Sequence, residues 1–305
     1  MSSSGLIGAD LSQPTLLILG GSGYFGRHLL RAASGSPIVA TSRTPEQHRA
    51  HAGVQWIPVD EWPATLVRLR DRGPVTVIHT IALTDHGYCE LHPDEAMAVN
   101  AETVAQAAMV CRAAEAPLLY VCTDGLFPHA SPADSPKYWT RNDSAAPVSA
   151  YGRSKLAGER AMMEVGWGHS IRMSFVGAGL GTGRGLLAYL ATRLRHNAEI
   201  PGYVDNWFSP APAQEAADRL IDLARTQPSG TSIQHWGCSP AITKYDFLER
   251  VAMAAGFTPR MLEVRRATLP NAHTVPLDQS LSCDVSWTLE ALIDASVQAL
   301  REELA

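Results

Sequence analysis

Tyr151 and Lys155 stand four residues apart in Tyr151-Gly-Arg-Ser-Lys155, and on a helix that spacing puts both side chains on one face. An ammonium beside a phenol favours the phenolate and lowers the tyrosine pKa from about 10 toward working pH. A tyrosine tuned in this way can hand a proton to a carbonyl oxygen while hydride reaches the carbon. The lysine is also rare. Of the 25 basic residues, only those at 137, 155 and 244 are lysine. Where arginine is the default cation, each lysine marks a place to inspect.

A second constellation lies near the start of the chain. The apolar run Thr15–Leu19 leads directly into Gly20-Gly-Ser-Gly23-Tyr24-Phe25-Gly26, a GxxGxxG turn that opens a helix. Gly20 suits a tight turn, Gly23 a close approach of backbone to pyrophosphate, and Gly26 the packing of helix on strand. Tyr24 and Phe25 open the helix whose free N–H groups and positive end would receive the phosphates. The second strand ends Ala40-Thr-Ser42-Arg43. An NAD site usually places a carboxylate there to accept from the ribose hydroxyls. Ser42 and Arg43 instead offer a donor and a cation suited to a 2′-phosphate, so NADP(H) is the expected cofactor. Asp60, just past the third strand, is placed to meet the adenine amino group.

These groups need a scaffold that delivers them to one edge. Strands are expected at Thr15–Leu19, 38–41, 54–59, 75–81, Leu118–Cys122 and 169–176, with helices at 24–33, 64–70, 94–115 and 149–164. Alternation of this kind indicates an α/β fold with a doubly wound, Rossmann-type parallel sheet. The rhythm breaks beyond Phe175, where glycines crowd 177–185 and prolines and aromatics crowd 201–212. Further helices are expected at 213–226, 244–255 and 287–304. The predicted organisation is a flexible leader at 1–14, an NADP-binding domain at 15–175, and a smaller interleaved substrate lobe at 176–305 that partly returns to the first domain.

Composition narrows the field. With 305 residues, 46% hydrophobic and 18% charged, the chain can bury a large core and is not a disordered or disulfide-scaffold protein. A net charge of −5 argues against a nucleic-acid or anionic-membrane surface. No apolar run is long enough to span a bilayer. The five cysteines show no framework and no metal-ligand spacing, which fits a reducing, cytoplasmic setting. His48 and His51 are close but have no companion ligands, so no metal site is expected. A homodimer is compatible with the sequence, and the expected partner is a small-molecule carbonyl substrate.

With both motifs in view, the sequence resembles the extended short-chain dehydrogenases/reductases, and more narrowly their dTDP-4-dehydrorhamnose reductase branch. Val77-Ile-His-Thr-Ile81-Ala82 followed by Cys89-Glu90 resembles that branch's fourth strand and next loop. Ala98-Val-Asn100-Ala-Glu-Thr103 is similar to its AVNxxT helix, and Thr123-Asp124-Gly-Leu-Phe127 to its TDYVF strand end. Asp143 to Pro147 leading into Tyr151-Gly-Arg-Ser-Lys-Leu-Ala-Gly-Glu159 is close to its DxxxPxxxYGxSKLxGE. The resemblance implies that Thr123 bonds the substrate carbonyl, Tyr151 is the acid, and Lys155 grips the nicotinamide ribose and tunes Tyr151. It implies a water-holding part for Asn100, with a purely structural stitch as the alternative. Ile81 and Ala82 would touch the cofactor, and 171–175 would pass beside the nicotinamide. Asp124 is either a substrate contact or a turn former.

Departures from the family pattern bear on the reaction and the substrate. Gly125 stands where the related dehydratases carry a glutamate base, and Ser42-Arg43 disfavours the tightly held NAD of the epimerases; net reduction remains. The branch's late RPxxxxL segment reads Val275-Pro276 onward, with valine for the diphosphate-facing arginine. Arg265 or Arg266 is a possible replacement. Arg141 stands where an acidic residue is expected. Asp205-Asn-Trp207-Phe208-Ser209-Pro210 resembles a DxxGSPT loop, and Trp207 and Phe208 would line a flatter pocket or pack between lobes. The expected substrate is a 4-keto-deoxysugar nucleotide. The alternatives are a non-sugar ketone, aldehyde or imine, or a non-catalytic NADP-binding regulatory subunit, since the branch resembles the beta subunit of methionine adenosyltransferase.

Overall fold

The computed structural model describes residues 13–48, 53–128, 135–269 and 276–305. Most of the expected leader, together with His51 and Val275, lies outside the described residues. The first half of the chain builds β1 (Thr15–Leu19), β2 (Ile38–Ser42), β3 (Val54–Pro58), β4 (Val75–His79), β5 (Leu118–Cys122) and β6 (Gly168–Arg172). Between them run α1 (Tyr24–Ala32), α2 (Trp62–Arg70), α3 (His86–Leu91), α4 (Pro93–Met97), α5 (Thr103–Ala113) and α6 (Ala150–Val165). The second half adds β7 (Phe175–Val176), α7 (Leu186–Arg195), β8 (Ile200–Tyr203), β9 (Trp207–Phe208), β10 (Ala211–Pro212), α8 (Ala213–Arg225) and β11 (Thr231–Ser239). It closes with β12 (Ile242–Thr243), α9 (Lys244–Ala254), β13 (Met261–Val264), β14 (Asp278–Gln279), β15 (Val285–Thr288) and α10 (Leu289–Leu304).

One sheet of eight strands, in the order β15-β11-β6-β5-β4-β1-β2-β3, organises the molecule. Every pairing in it is parallel. The strand order reverses between β1 and β4, and such a switch point leaves a crevice at the carboxyl ends of the strands. Parallel strands buried on both faces read as continuous apolar runs. Leu17 and Leu19 of β1 enter one core with Trp62, Leu66, Val104 and Leu156, while Leu16 and Ile18 enter the other with Phe25, Leu29 and Leu220. Strands β11 and β15 come from beyond residue 176, so the chain returns to its first sheet. A third core gathers α7, α9 and α10 around Leu190, Phe247 and Leu292. There β9 lies between β12 and β14 in a small sheet of its own.

Two expected elements differ. The single helix over 94–115 is interrupted by a π turn at Ala98–Glu102 that carries Asn100, a feature that tends to mark functional positions. The strand over 169–176 stops at Arg172 and resumes at Phe175, where β7 pairs with β10 instead of entering the main sheet.

A buried ion pair fixes the helix that bears Tyr151. Arg172 on β6 donates from Nε to Glu159 Oε2 at 2.9 Å and from Nη2 to Oε1 at 2.5 Å, and Ser170 Oγ adds a bond to Oε2 at 2.6 Å. Both charged side chains are almost wholly buried, 5% and 2% exposed. His235 on β11 lies 3.4 Å from the guanidinium. Burial and Arg172 hold its imidazole down at about 4, so it stays neutral.

Candidate active site

The glycine turn is built by contact more than by flexibility. Gly20 adopts φ +92°, and its N–H donates to Thr41 Oγ1 at 2.9 Å, tying the turn to β2. A Cβ on Gly26 would lie 2.2 Å from the Gly20 carbonyl oxygen, whereas one on exposed Gly23 would stand 3.2 Å from it. Gly23 is the N-cap of α1 and has no side chain to cap with, so the first N–H groups of the helix remain available to an anion. The side chains of Tyr24 and Phe25 face the protein. Tyr24 donates to Gly177 O at 2.9 Å, and Phe25 stacks on Phe175 with ring centroids 4.4 Å apart. These two residues offer an anion only their backbone.

A cleft of about 470 Å³ opens beside this turn, lined by Arg43, Asp60, Ile81, His79, Thr103 and Gln106 among others. It brings together three residues singled out from the sequence. Arg43 is exposed, with no hydrogen-bond or ionic partner among the described residues, whereas the Ser42 hydroxyl is buried and accepts from Thr44 N at 3.2 Å. Ala82 lies in the loop after β4. His79 and Thr103, although they fall inside quoted motifs, and Gln106 were not singled out as site residues, because they become neighbours only when β4 and α5 pack. Burial and the Lys155 charge hold His79 at about 3, and its Nε2 meets Thr103 Oγ1 at 3.1 Å.

Around the end of β5 the sequence-selected catalytic side chains do assemble. Thr123 Oγ1 accepts from Gly125 N at 3.1 Å, and Thr123 is close enough to the Tyr151 hydroxyl to act on its pKa. Helix α6 can come this close because Gly152, next to Tyr151, has no side chain. A Cβ there would lie 2.5 Å from Gly125 O. Ser149 caps the helix by accepting from Gly152 N at 2.9 Å, and Glu90 accepts from Ala150 N at 2.6 Å.

Two features of this group bear on those expectations. Burial raises the Tyr151 pKa, Thr123 opposes that, and the phenol stays protonated. The Lys155 ammonium donates to Val121 O at 2.9 Å and sits 4.2 Å from the centre of the Tyr120 ring. With 2% exposure it is lowered to about 8 by desolvation, countered by Cys122 and Glu159. Asn100 has both amide hydrogens committed, to Leu83 O and Ser154 Oγ at 2.9 Å each, and its oxygen accepts from Leu83 N at 2.7 Å. It stitches the loop after β4 to α6, the arrangement the structural alternative describes.

Asp124 is 2% exposed and accepts from Gln279 Nε2 at 3.0 Å; burial raises its pKa, and Ser174 and Lys244 oppose the rise. Its Oδ2 and the Ser174 hydroxyl are both left without a hydrogen bond. Phe208, expected at a pocket wall, is a core residue packed edge-on against Phe247 at 5.7 Å. Trp207 lies beside it on β9, partly buried, with Asp278 opposite.

Fold and site together are those of an oxidoreductase of the extended short-chain dehydrogenase/reductase type. The RmlD substrate binding domain family matches residues 14–305, and the chain belongs to that family. It is 31% identical over 234 residues to a probable low-salt glycan biosynthesis reductase of Haloferax volcanii, covering 75% of each chain. It is 28% identical over 279 residues to the dTDP-4-dehydrorhamnose reductase of Mycobacterium tuberculosis, covering 91% of this chain and 87% of that one. In structure it is similar to the dTDP-4-dehydrorhamnose reductase of Bacillus anthracis solved with NADP. The TM-score is 0.76 at 18% identity, over 95% of this chain and 98% of that one. Among the described residues no helix is long and apolar enough to cross a membrane.

Proposed function

We propose that the protein is an NADPH-dependent reductase of a 4-keto-deoxysugar nucleotide. Residues 15–175 would hold the cofactor, and residues 176–305 would supply most of the substrate lobe. One observation carries the reading: Tyr151, partly buried and with its phenol held protonated, lies beside Thr123 at the carboxyl end of β5. A reduction needs its acid protonated before the carbonyl arrives, and burial keeps Tyr151 in that state.

Thr123 and Tyr151 would both donate to the carbonyl oxygen, polarising it and then supplying the proton. Lys155 has donors beyond the one spent on Val121 O, and these suit ribose hydroxyls. The exposed Arg43 guanidinium beside the 470 Å³ cleft suits a 2′-phosphate, and the uncapped start of α1 suits a diphosphate. NADPH, when bound, supplies hydride. The printed names of the relatives support the sugar-nucleotide substrate.

The test is NADPH oxidation by the full chain with a panel of keto-deoxysugar nucleotides and simple ketones, aldehydes and imines. Turnover confined to the nucleotide sugars is the expected result. Turnover of the simple carbonyls alone, or of nothing in the panel, overturns the reading.

A further inference from the structure

The second lobe sets Lys244 near Asp124 and Arg266 near Lys244, with no ion pair to either cation among the described residues. Lys244 opens α9, half-buried, its Nζ 5.6 Å from the centre of the Phe208 ring. Arg266 is 8% exposed; its Nη1 meets Tyr203 OH at 3.4 Å, and its Nε has no partner. One short segment gathers both. The Asp205 carboxylate accepts from the backbone N–H of Arg266 at 2.6 Å, and the Lys244 N–H donates to Asn206 O at 3.1 Å. Arg265, by contrast, is exposed.

The two nearby carboxylates are largely committed elsewhere. Asp205 accepts from the backbone N–H groups of Arg266 and Ala267, and Asp124, which faces Lys244, has one oxygen taken by Gln279. Residues 270–275 contain no further acidic side chain. A lysine at the first position of a helix also opposes the positive end of the helix dipole. Desolvation lowers Lys244 to about 8, Asp124 opposes this, and Arg266 adds to it. Desolvated cations without a close ion pair are costly, and a local rule broken without a folding gain marks a functional position. Asn206 Oδ1, Gln279 Oε1 and Ser174 Oγ are buried nearby without partners, acceptors suited to sugar hydroxyls.

We propose that Lys244 and Arg266 bind the diphosphate of the substrate, in place of the arginine that position 275 lacks. The inference rests on the reductase reading above and deepens it. Thr123 and Asp124 are adjacent, so one ligand with a ketone at one end and an oxyanion at the other would satisfy Thr123, Tyr151, Lys244 and Arg266 together.

The experiment is isothermal titration of the full chain, saturated with NADPH so that the cofactor's own phosphate cradle is filled, with inorganic pyrophosphate, dTDP and glucuronate. The expected result is binding of pyrophosphate and dTDP that weakens steeply with salt. Lys244→Met, Lys244→Gln and Arg266→Met should each weaken it roughly 10- to 100-fold, and Lys244→Arg should restore most of the affinity. Wild-type affinity in Lys244→Gln, or binding of glucuronate without pyrophosphate, overturns the proposal. If Lys244→Met does not fold, Lys244→Gln decides. The two readings fail separately. Pyrophosphate binding by the predicted pair without reduction of any carbonyl sinks the reductase reading. Reduction of nucleotide sugars with unaltered pyrophosphate affinity in the variants sinks this one.

Discussion

Alanine at position 26 puts a methyl group where there is no room for one. The added Cβ would lie 2.2 Å from the Gly20 carbonyl oxygen and 2.8 Å from Gly21 backbone atoms, and none of these can rotate aside. Relief needs α1 to move by about 1 Å, the difference between this contact and the 3.2 Å a Cβ on Gly23 would have. Alanine gains about 1 kcal/mol of helix propensity over glycine. Forced overpacking costs about 1–3 kcal/mol, and a contact with immovable backbone belongs at or above the upper end. The net expectation is a destabilisation of about 2 kcal/mol in urea unfolding. NADPH affinity should fall about 10- to 100-fold, because the helix N–H groups move with the turn. Gly23→Ala is the comparison. It should leave stability within about 0.5 kcal/mol yet weaken NADPH, since its methyl occupies the approach to the phosphates. Wild-type stability and NADPH affinity in Gly26→Ala would refute the packing account of the turn.

Arg43→Ala should weaken NADPH binding about tenfold or more while leaving NADH nearly unchanged, read by fluorescence titration of both; equal losses would remove the 2′-phosphate assignment. Lys155→Met should abolish turnover and raise stability, because its ammonium is lowered from 10.5 to about 8, on the order of 3 kcal/mol at 1.36 per unit. In the wild type the unfolded chain binds more protons than the folded one between pH 8 and 10.5. Stability should therefore rise with pH through that window, and the rise should shrink in Lys155→Met. Arg172→Met leaves Glu159 charged and buried, a loss of about 3–5 kcal/mol, and Glu159→Met on that background should recover part of it. Strict additivity in this double-mutant cycle would show that the pair does not act as a unit.

The first half of the chain was legible because its strands are short apolar runs that end in glycine or a turn. β11 was not, because Thr231–Ser239 alternates irregularly through Gln234, His235 and Gly237. β15 is only four residues long and abuts α10, whose start is set at Leu289 by Thr288 accepting from Ala291 N. No periodicity separates Val285 and Trp287 from the first turn of that helix. In the site, YxxxK spacing correctly placed Tyr151 and Lys155 on one helix. It could not show that the ammonium donates to Val121 O. Asp124, Lys244 and Gln279 lie far apart in sequence, so only the folded lobe brings them together. The one sequence signal at Lys244 was the scarcity of lysine, which marked the position without naming its partner.

The central claim is that Tyr151 delivers the proton that accompanies hydride transfer. Its most direct measurement is the single-turnover rate of NADPH oxidation with a 4-keto-deoxysugar nucleotide, in wild type and Tyr151→Phe, with NADPH affinity determined in parallel. A loss of roughly 10²- to 10⁴-fold in rate with unchanged NADPH affinity is the predicted result. Equal rates in the two proteins would contradict the account.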